Sequence, residues 1–240
     1  MSENSFPLSL PNSRAVGGMS AGSSTIRSTV LYRCAAPEQL DTQITDWLAH
    51  TQISRIFDLR SDQEVQRAPG FPEIAGQTTR TRLPLLEGAL SAATTFPDLD
   101  SLYPPLLLNH PTAWVQLAEE VADNAQATLV HCTAGKDRTG MAVALLLLAV
   151  GADRDAVFED YASSTANLEG AWLDTMRARI AAAGYPVTEK MVQLMVGTSI
   201  PGLDTALREV ETRHGSVADY LIAHGLSTAK LDELATRLVD

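Results

Sequence analysis

Ten consecutive residues near the middle of the chain combine groups that can bind a phosphate with one that can attack it. The segment HCTAGKDRTG, residues 131–140, contains one of the two cysteines of the chain, and Arg138 follows Cys132 after five intervening residues. Apolar segments flank it on both sides. We therefore expect Cys132 to end a strand and Arg138 to begin a helix, with a tight loop between them.

A loop of this kind is expected to bind an anion. Backbone N–H groups at a helix N-terminus have no partner within the helix, and the helix dipole adds positive potential there. Glycines allow close turns, and the planar guanidinium of Arg138 can donate two parallel hydrogen bonds to phosphate oxygens. The residues predicted to bind the phosphate are Thr133, Ala134, Gly135, Lys136 and Thr139.

The same positive field acts on the cysteine. Helix N-termini and neighbouring cations favour the ionised form of a thiol, so Cys132 is expected to be a thiolate at neutral pH. A thiolate beneath a bound phosphoryl group is placed for in-line attack, which gives a phosphocysteine that water then hydrolyses. Thr139, directly after the arginine, could donate its hydroxyl to the sulfur when the sulfur leaves.

Two aspartates compete for the role of general acid. A bound phosphate and the carboxylate of Asp137 can share a proton, which suits Asp137 to protonate the leaving oxygen. The alternative is that Asp137 turns outward and only interacts with the dipole at the start of the helix. Asp58 ends a predicted strand, where open α/β sheets place active residues, but it could equally be a strand-end carboxylate. The residues alone leave both assignments open.

Three further residues have competing interpretations. Lys136 is predicted to help hold a polyanion such as an inositol phosphate head group, or else to be a solvated charge that offsets Asp137. His131 is predicted to hold the loop by hydrogen bonds. Cys34 is predicted to be a packed, inert thiol, with protection of Cys132 from oxidation as the alternative.

The flanking pattern predicts the elements that position this loop. Strands are predicted over residues 28–34, 53–59, 79–85 and 127–132. A helix is predicted to open at Pro37, and another to carry Trp114 and Val121 on one face. A short helix is predicted to start at Ser61, because Ser61 and Glu64 have the spacing of a capping box. Strands that alternate with helices indicate a mainly parallel sheet in an α/β fold.

The remaining segments complete the predicted architecture. The apolar run 141–150 is too short to span a membrane and is predicted to be a buried helix. Residues 88–111 contain four prolines among apolar residues and are predicted to form a lid rather than one regular helix. Residues 152–240 read as helical, and we expect residues 1–240 to form a single domain.

Composition excludes several classes of protein. The formal net charge is −11 at pH 7, so nucleic acid is not an expected partner. The N-terminus lacks the apolar run of a signal peptide, which predicts a cytoplasmic protein without stable membrane insertion. Two cysteines and five scattered histidines indicate neither a disulfide framework nor a metal site, so no cofactor is expected. No particular oligomeric state is predicted.

The loop VHCTAGKDRTG resembles the signature of the cysteine-dependent protein tyrosine phosphatases, Val/Ile-His-Cys-x-x-Gly-x-x-Arg-Ser/Thr-Gly, at every defined position. Its Gly-Lys-Asp-Arg core is similar to that of the bacterial tyrosine phosphatase B-type family. Four other segments are similar to segments of that family, in the same order along the chain: NSRAVGG, VLYRCA, FDLRS and HGSVADYLIAHGLS. Together they extend over most of the sequence.

The resemblance implies a phosphatase-type α/β domain with extra helices and activity on phosphotyrosine. It also implies phosphoserine, phosphothreonine and phosphoinositide as further substrates. Ser13 and Ala15 replace a Phe and an Asp of the family pattern. Phe96-Pro97-Asp98 is similar to the Trp-Pro-Asp acid loop of eukaryotic tyrosine phosphatases, which makes Asp98 a third candidate acid. The competing hypothesis is a catalytically inactive phosphatase domain that binds phosphorylated partners.

Overall fold

A five-stranded sheet forms the centre of the molecule. The computed structural model describes residues 6–73, 77–85 and 99–240. In these ranges the strands are β1 (Arg14–Val16), β2 (Ser20–Ala21), β3 (Ser24–Thr25), β4 (Leu31–Ala35), β5 (Ile53–Asp58), β6 (Thr79–Arg82) and β7 (Ala127–Cys132). The sheet order is β1-β4-β7-β5-β6, in which β4, β7, β5 and β6 are parallel and β1 is antiparallel to β4. Strands β2 and β3 form a separate two-stranded sheet.

Helices cover both faces of the sheet. In the described part of the chain they are α1 (Thr42–His50), α2 (Asp62–Arg67), α3 (Leu99–Leu108), α4 (Pro111–Asp123), α5 (Asp137–Ala149), α6 (Arg154–Leu168), α7 (Ala171–Ala182), α8 (Glu189–Val196), α9 (Ile200–His214), α10 (Val217–Ala223) and α11 (Thr228–Leu238). The mainly parallel α/β class and the helical C-terminal part are therefore confirmed. None of these helices is long and apolar enough to cross a membrane.

Alternate residues of the central strands belong to different apolar cores. Phe57, Val130 and Cys132 lie in the larger core, which also contains α5. Cys34 and Leu129 lie in the smaller core, which α1 covers. Every residue of β7 is buried, as expected for a central parallel strand with helices on both faces. The face to which a strand residue points therefore decides which core, and which set of polar groups, it can meet.

Several predicted elements are confirmed with small changes at their ends. Strand β7 has the predicted bounds, and Ser61 and Glu64 form the predicted capping box at α2. The helix predicted to open at Pro37 begins instead at Thr42, because the side chain of Asp41 accepts a hydrogen bond from the Ile44 N–H at 2.8 Å and caps the helix there. The strand predicted to reach residue 85 ends at Arg82.

Only the second part of the predicted lid lies among the described residues. Residues 88–98, which include Asp98, lie outside the described residues. From Leu99 the chain forms α3, which packs against α9 and buries Tyr103, Leu106 and Leu107, so the described part of the predicted lid segment is helical. Two prolines lie inside α3 and cannot donate helical hydrogen bonds. Burial of Tyr103, Leu106 and Leu107 offsets that loss.

Candidate active site

The cysteine loop lies at the carboxyl end of β7, between β7 and α5. Cys132 ends the strand and is 2% exposed, and Asp137 is the first residue of α5. Gly135, between them, has a φ of +64°. A Cβ at this position would lie 2.1 Å from the carbonyl oxygen of Cys34, so the loop can pass this close to β4 only with glycine.

Side chains from the N-terminal segment and from β4 hold the loop from outside. The Asn12 amide donates to the carbonyl oxygens of Ala134 at 3.1 Å and Gly135 at 2.9 Å, and Arg33 Nη2 donates to Gly135 O at 2.8 Å. The C=O and N–H of a trans peptide point in opposite directions. Carbonyls bonded from outside therefore turn the following N–H groups toward the inside of the loop, which makes a cradle for an anion.

An ion-pair cluster behind the loop keeps these donors in place. Asp160 on α6 lies 2.7 Å from Arg14 Nε and 2.5 Å from Arg33 Nη1. Arg14 in turn donates to the side-chain oxygen of Asn12 at 2.5 Å. Asn12 and Arg14 thus brace the loop although Ser13 and Ala15 depart from the family pattern.

Arg138 is held by the chain so that one side of its guanidinium stays available. Its Nη1 and Nη2 donate to the two carboxylate oxygens of Glu64 at 2.6 and 2.7 Å, and Nη1 also donates to Leu59 O at 3.2 Å. A guanidinium has five N–H groups. Among the described residues these bonds leave the Nε–H and the second Nη2 hydrogen, which are parallel and fit two phosphate oxygens.

Glu64 is a residue of the site that the sequence identified only as a helix cap. Besides Arg138, its carboxylate accepts hydrogen bonds from the Thr133 hydroxyl and from the Ser61 N–H at 2.8 Å. Partial burial alone would raise the pKa of Glu64, but Arg138, Thr133 and Ser61 together lower it to about 2. Glu64 is therefore ionised, and it ties α2 to both ends of the cysteine loop. The capping-box spacing was the signal that brought it to notice.

Asp58 and His131 face away from Cys132. Asp58 is paired in register with His131, on the face of the sheet opposite to Cys132, and its side chain is fully buried. The carboxylate lies 2.8 Å from Arg60 Nη2 and also pairs with Arg80. Burial would raise the pKa of Asp58, but the adjacent His131 and Arg60 hold it well below its usual range. A carboxylate so buried and paired has no proton to donate at neutral pH.

His131 and Cys34 also belong to that opposite face. The His131 ring packs edge-on against Phe71, with centroids 5.1 Å apart, and its Nδ1 lies 3.3 Å from Cys132 O. Burial lowers the pKa of His131 to about 4, so the ring is neutral at pH 7. Cys34 is paired in register with His131 and is fully buried, and burial raises the pKa of its thiol.

Asp137 lies on the side of the loop that Asp58 does not reach. Its side chain is 27% exposed, and its Oδ1 accepts a hydrogen bond from the Tyr103 hydroxyl. The other oxygen, Oδ2, forms a long ion pair with Lys136 Nζ at 3.5 Å, a distance too great for a good hydrogen bond. Asp137 is thus an accessible carboxylate within the cysteine loop itself.

Lys136 is placed differently from the prediction. Its side chain is fully buried, and Nζ donates to Leu194 O at 2.8 Å and Gly197 O at 2.5 Å, at the end of α8. The lysine therefore fastens the α8 end to the loop and does not extend into the cradle. The sequence missed this role because the acceptors are backbone carbonyls far along the chain.

Thr139 has an environment that fits its predicted role. Its side chain is fully buried, and Oγ1 has no hydrogen-bond partner within the described ranges. A buried hydroxyl without a partner is rare and expensive in free energy, about 1–3 kcal/mol. Such a hydroxyl is available to a group that arrives during the reaction.

Three features define a cysteine-dependent phosphatase: a cysteine at a strand end, a loop of inward N–H groups, and an arginine with two N–H groups that no described residue occupies. The family model described as "Tyrosine phosphatase family" matches residues 8–240. Because the match extends over nearly all of the sequence, the chain belongs to the tyrosine phosphatase family.

Individual relatives agree with this family. The chain is 28% identical over 255 residues to the triple specificity protein phosphatase PtpB of Mycobacterium tuberculosis, covering 87% of this chain and 90% of that protein. It is 28% identical over 234 residues to a tyrosine-protein phosphatase of Nostoc commune, covering 92% and 80%. Among solved structures, TpbA of P. aeruginosa is similar at 16% identity and a TM-score of 0.37, covering 82% of this chain and 96% of that one.

Proposed function

We propose that the chain hydrolyses phosphotyrosine in proteins, with Cys132 as nucleophile and Arg138 as the clamp on the transferring phosphoryl group. The observation that carries this proposal is the orientation of Arg138: Glu64 holds it beside the loop that begins at Cys132, and its Nε–H and second Nη2–H have no partner in the described part of the chain. The sulfur attacks phosphorus, the bond to the leaving oxygen breaks, and a phosphocysteine forms. The loop N–H groups from Thr133 to Arg138 stabilise the charge on the equatorial oxygens.

We infer that Asp137 is the general acid. It supplies the proton that the leaving oxygen takes up as its bond to phosphorus breaks, and the resulting carboxylate then takes a proton from the water that hydrolyses the phosphocysteine. Its exposure and its place in the loop support this role. The burial of Asp58 on the opposite face, in ion pairs with Arg60 and Arg80, argues against the same role for Asp58.

We propose a preference for phosphotyrosine, with phosphoserine, phosphothreonine and phosphoinositides as weaker substrates. The family supports the first, and the name of the M. tuberculosis relative, a triple specificity phosphatase, supports a wider range. The engagement of Lys136 with Leu194 and Gly197 removes the cation predicted to hold a polyanionic head group. A kcat/KM comparison across phosphotyrosine, phosphoserine and phosphothreonine peptides and inositol phosphates tests the order.

The first experiment separates an enzyme from an inactive binding module. Cys132→Ser should abolish turnover of p-nitrophenyl phosphate, because serine stays unionised, while phosphate still binds because the N–H cradle is unchanged. Turnover and phosphate binding are measured on one preparation, with Cys34→Ser as the matched control that should retain activity. Turnover retained by Cys132→Ser would exclude Cys132 as nucleophile, and no turnover by the wild type would favour the binding module.

The second experiment identifies the acid. An acid matters most for a basic leaving group such as tyrosine and least for a fluorinated coumarin phenolate. Asp137→Asn should therefore lose about 100-fold or more in kcat/KM on phosphotyrosine and much less on the coumarin phosphate. Asp58→Asn should lose on both alike through loss of stability. A selective loss in Asp98→Asn alone would assign the acid to Asp98 instead.

A further inference from the structure

Two buried tyrosines connect Asp137 to a backbone N–H outside the cysteine loop. Tyr103 on α3 donates its hydroxyl hydrogen to Asp137 Oδ1, and its oxygen is hydrogen-bonded to the hydroxyl of Tyr161 on α6. The Tyr161 oxygen accepts a hydrogen bond from the Ser199 N–H at 2.9 Å. Both tyrosine side chains are 1% exposed. Neither residue belongs to the phosphate loop, although the Tyr161 ring packs against Gly140 at the start of α5.

The ends of this chain of hydrogen bonds fix its direction. A backbone N–H can only donate, so the Tyr161 oxygen is the acceptor at the Ser199 end. At the Asp137 end Tyr103 is the donor, because a carboxylate can only accept and an acid that carries its proton on Oδ2 still accepts at Oδ1. The remaining hydrogen must therefore run from Tyr161 to Tyr103. Burial raises the pKa of Tyr103 and that of Tyr161, so both hydroxyls keep their hydrogens at neutral pH.

We propose that Tyr103 and Tyr161 are positioning residues for the general acid, an inference that rests on the proposed role of Asp137. Because Oδ1 accepts from Tyr103, the transferable proton of Asp137 is on Oδ2. Oδ2 is the oxygen without a hydrogen-bond partner among the described residues, Lys136 Nζ being 3.5 Å away. The tyrosines thus fix which oxygen carries the proton and how the carboxyl group is rotated.

The same hydrogen bond stabilises the transition state. As the bond from phosphorus to the leaving oxygen breaks, the proton moves from Oδ2 to that oxygen, and Asp137 becomes a carboxylate. A hydrogen bond to an ionised acceptor is roughly twice as strong as one to a neutral acceptor. The bond from Tyr103 therefore strengthens during proton transfer, and only an interaction that strengthens in the transition state raises the rate.

The test removes single hydroxyl groups and varies the leaving group. Tyr103→Phe and Tyr161→Phe are assayed for kcat/KM, which reports on formation of the phosphocysteine, on a phosphotyrosine peptide and on a fluorinated coumarin phosphate. We expect Tyr103→Phe to lose about tenfold on the peptide and less than about twofold on the coumarin substrate. Tyr161→Phe should show the same selectivity with a smaller loss.

Tyr220→Phe is the matched control. Tyr220 is fully buried on α10 and donates its hydroxyl to Leu107 O at 2.8 Å, so this variant also deletes a buried tyrosine hydrogen bond, but one that does not lead to Asp137. Its loss of thermal stability should resemble that of Tyr161→Phe, and its activity on the two substrates should change alike. This control separates positioning of the acid from a general loss of stability.

Asp137→Asn and the double variant with Tyr103→Phe distinguish the possible failures. If Tyr103 acts through Asp137, the double variant loses no more than Asp137→Asn alone. Equal losses of Tyr103→Phe on both substrates, with Asp137→Asn still selective, would overturn the positioning role and leave the acid assignment intact. An unselective Asp137→Asn would overturn both.

Discussion

Replacing Glu64 by glutamine should lower turnover without weakening the binding of phosphate. The change keeps the size of the side chain but removes the charge that holds Arg138, and it turns an amide N–H₂ toward one of the guanidinium N–H groups. Two effects then oppose one another. Loss of a negative charge beside the cradle favours any bound anion, whereas loss of the fixed guanidinium orientation disfavours the transition state.

The structure gives the size of the second effect. The pKa of Glu64 falls from 4.5 to about 2, which corresponds to about 3 kcal/mol of interaction that favours the carboxylate. The side chain is 25% exposed, so we discount this figure for solvent screening to about 2 kcal/mol. Because Thr133 and Ser61 contribute to this figure, it is an upper limit for the restraint on Arg138, and it changes the population of the productive Arg138 orientation by at most about 30-fold. We therefore expect kcat to fall by up to about 30-fold.

The assay compares a ground-state anion with a transition-state analogue. For Glu64→Gln we expect the inhibition constant of inorganic phosphate to stay constant or improve, while that of vanadate worsens by about the same factor as kcat. Glu120→Gln is the matched control. Glu120 also pairs with an arginine, Arg55, at 2.6 Å and is 22% exposed, but its bonds go to Arg55, Thr81 and Gln116 and not to the cysteine loop. Ser61→Ala tests the loss of the helix cap alone.

Either of two outcomes would refute this reasoning. A kcat of Glu64→Gln within about twofold of the wild type would show that Glu64 does not orient Arg138. A drop in kcat matched by Ser61→Ala would assign the effect to the cap of α2 rather than to the arginine.

Other parts of the site give three further predictions. Arg138→Lys should be nearly as inactive as Arg138→Ala, because lysine keeps the charge but lacks the pair of parallel N–H groups; a kcat within a few-fold of the wild type would show that charge suffices. Gly135→Ala should abolish activity and lower Tm, because the added Cβ would lie 2.1 Å from Cys34 O; thermal melts and turnover measure both. Acidification should destabilise the protein through His131. The pKa of this residue is about 4 in the folded state and 6.5 in the unfolded chain, so protons bind first to the unfolded state. The free energy of unfolding should therefore fall by about 2–3 kcal/mol between pH 6.5 and 4.5. Urea titrations at pH 7 and 4.5 should give a smaller difference for His131→Asn, and an equal difference would exclude His131 as the cause.

Local signals in the sequence were enough to predict the class of fold and the phosphate loop. A loop between a buried strand and a buried helix depends on residues that are close in sequence, and so do the capping box at Ser61 and the bounds of β7. The chemistry predicted for Cys132, Arg138 and Thr139 follows from those local signals. The family resemblance added the same assignment from residues spread along the chain.

Only the tertiary structure decided which polar groups meet. The sequence offered two candidate acids near the cradle: Asp137 in the loop itself and Asp58 at the end of a predicted neighbouring strand. The register of β5 against β7 turns Asp58 to the opposite face of the sheet. That register depends on strands about 70 residues apart, and a shift of one residue would reverse the face.

The partners of the loop residues are equally distant in sequence. Lys136 bonds to carbonyls at the end of α8, and Asp137 to a tyrosine on α3. Arg138 pairs with Glu64, 74 residues earlier in the chain. Residue type and spacing reveal which groups a loop contains, but the packing of helices from the rest of the chain determines what each group touches. The sequence therefore led to the proposed nucleophile and clamp, and the contacts of the fold are the basis for the proposed acid and for the residues proposed to orient it.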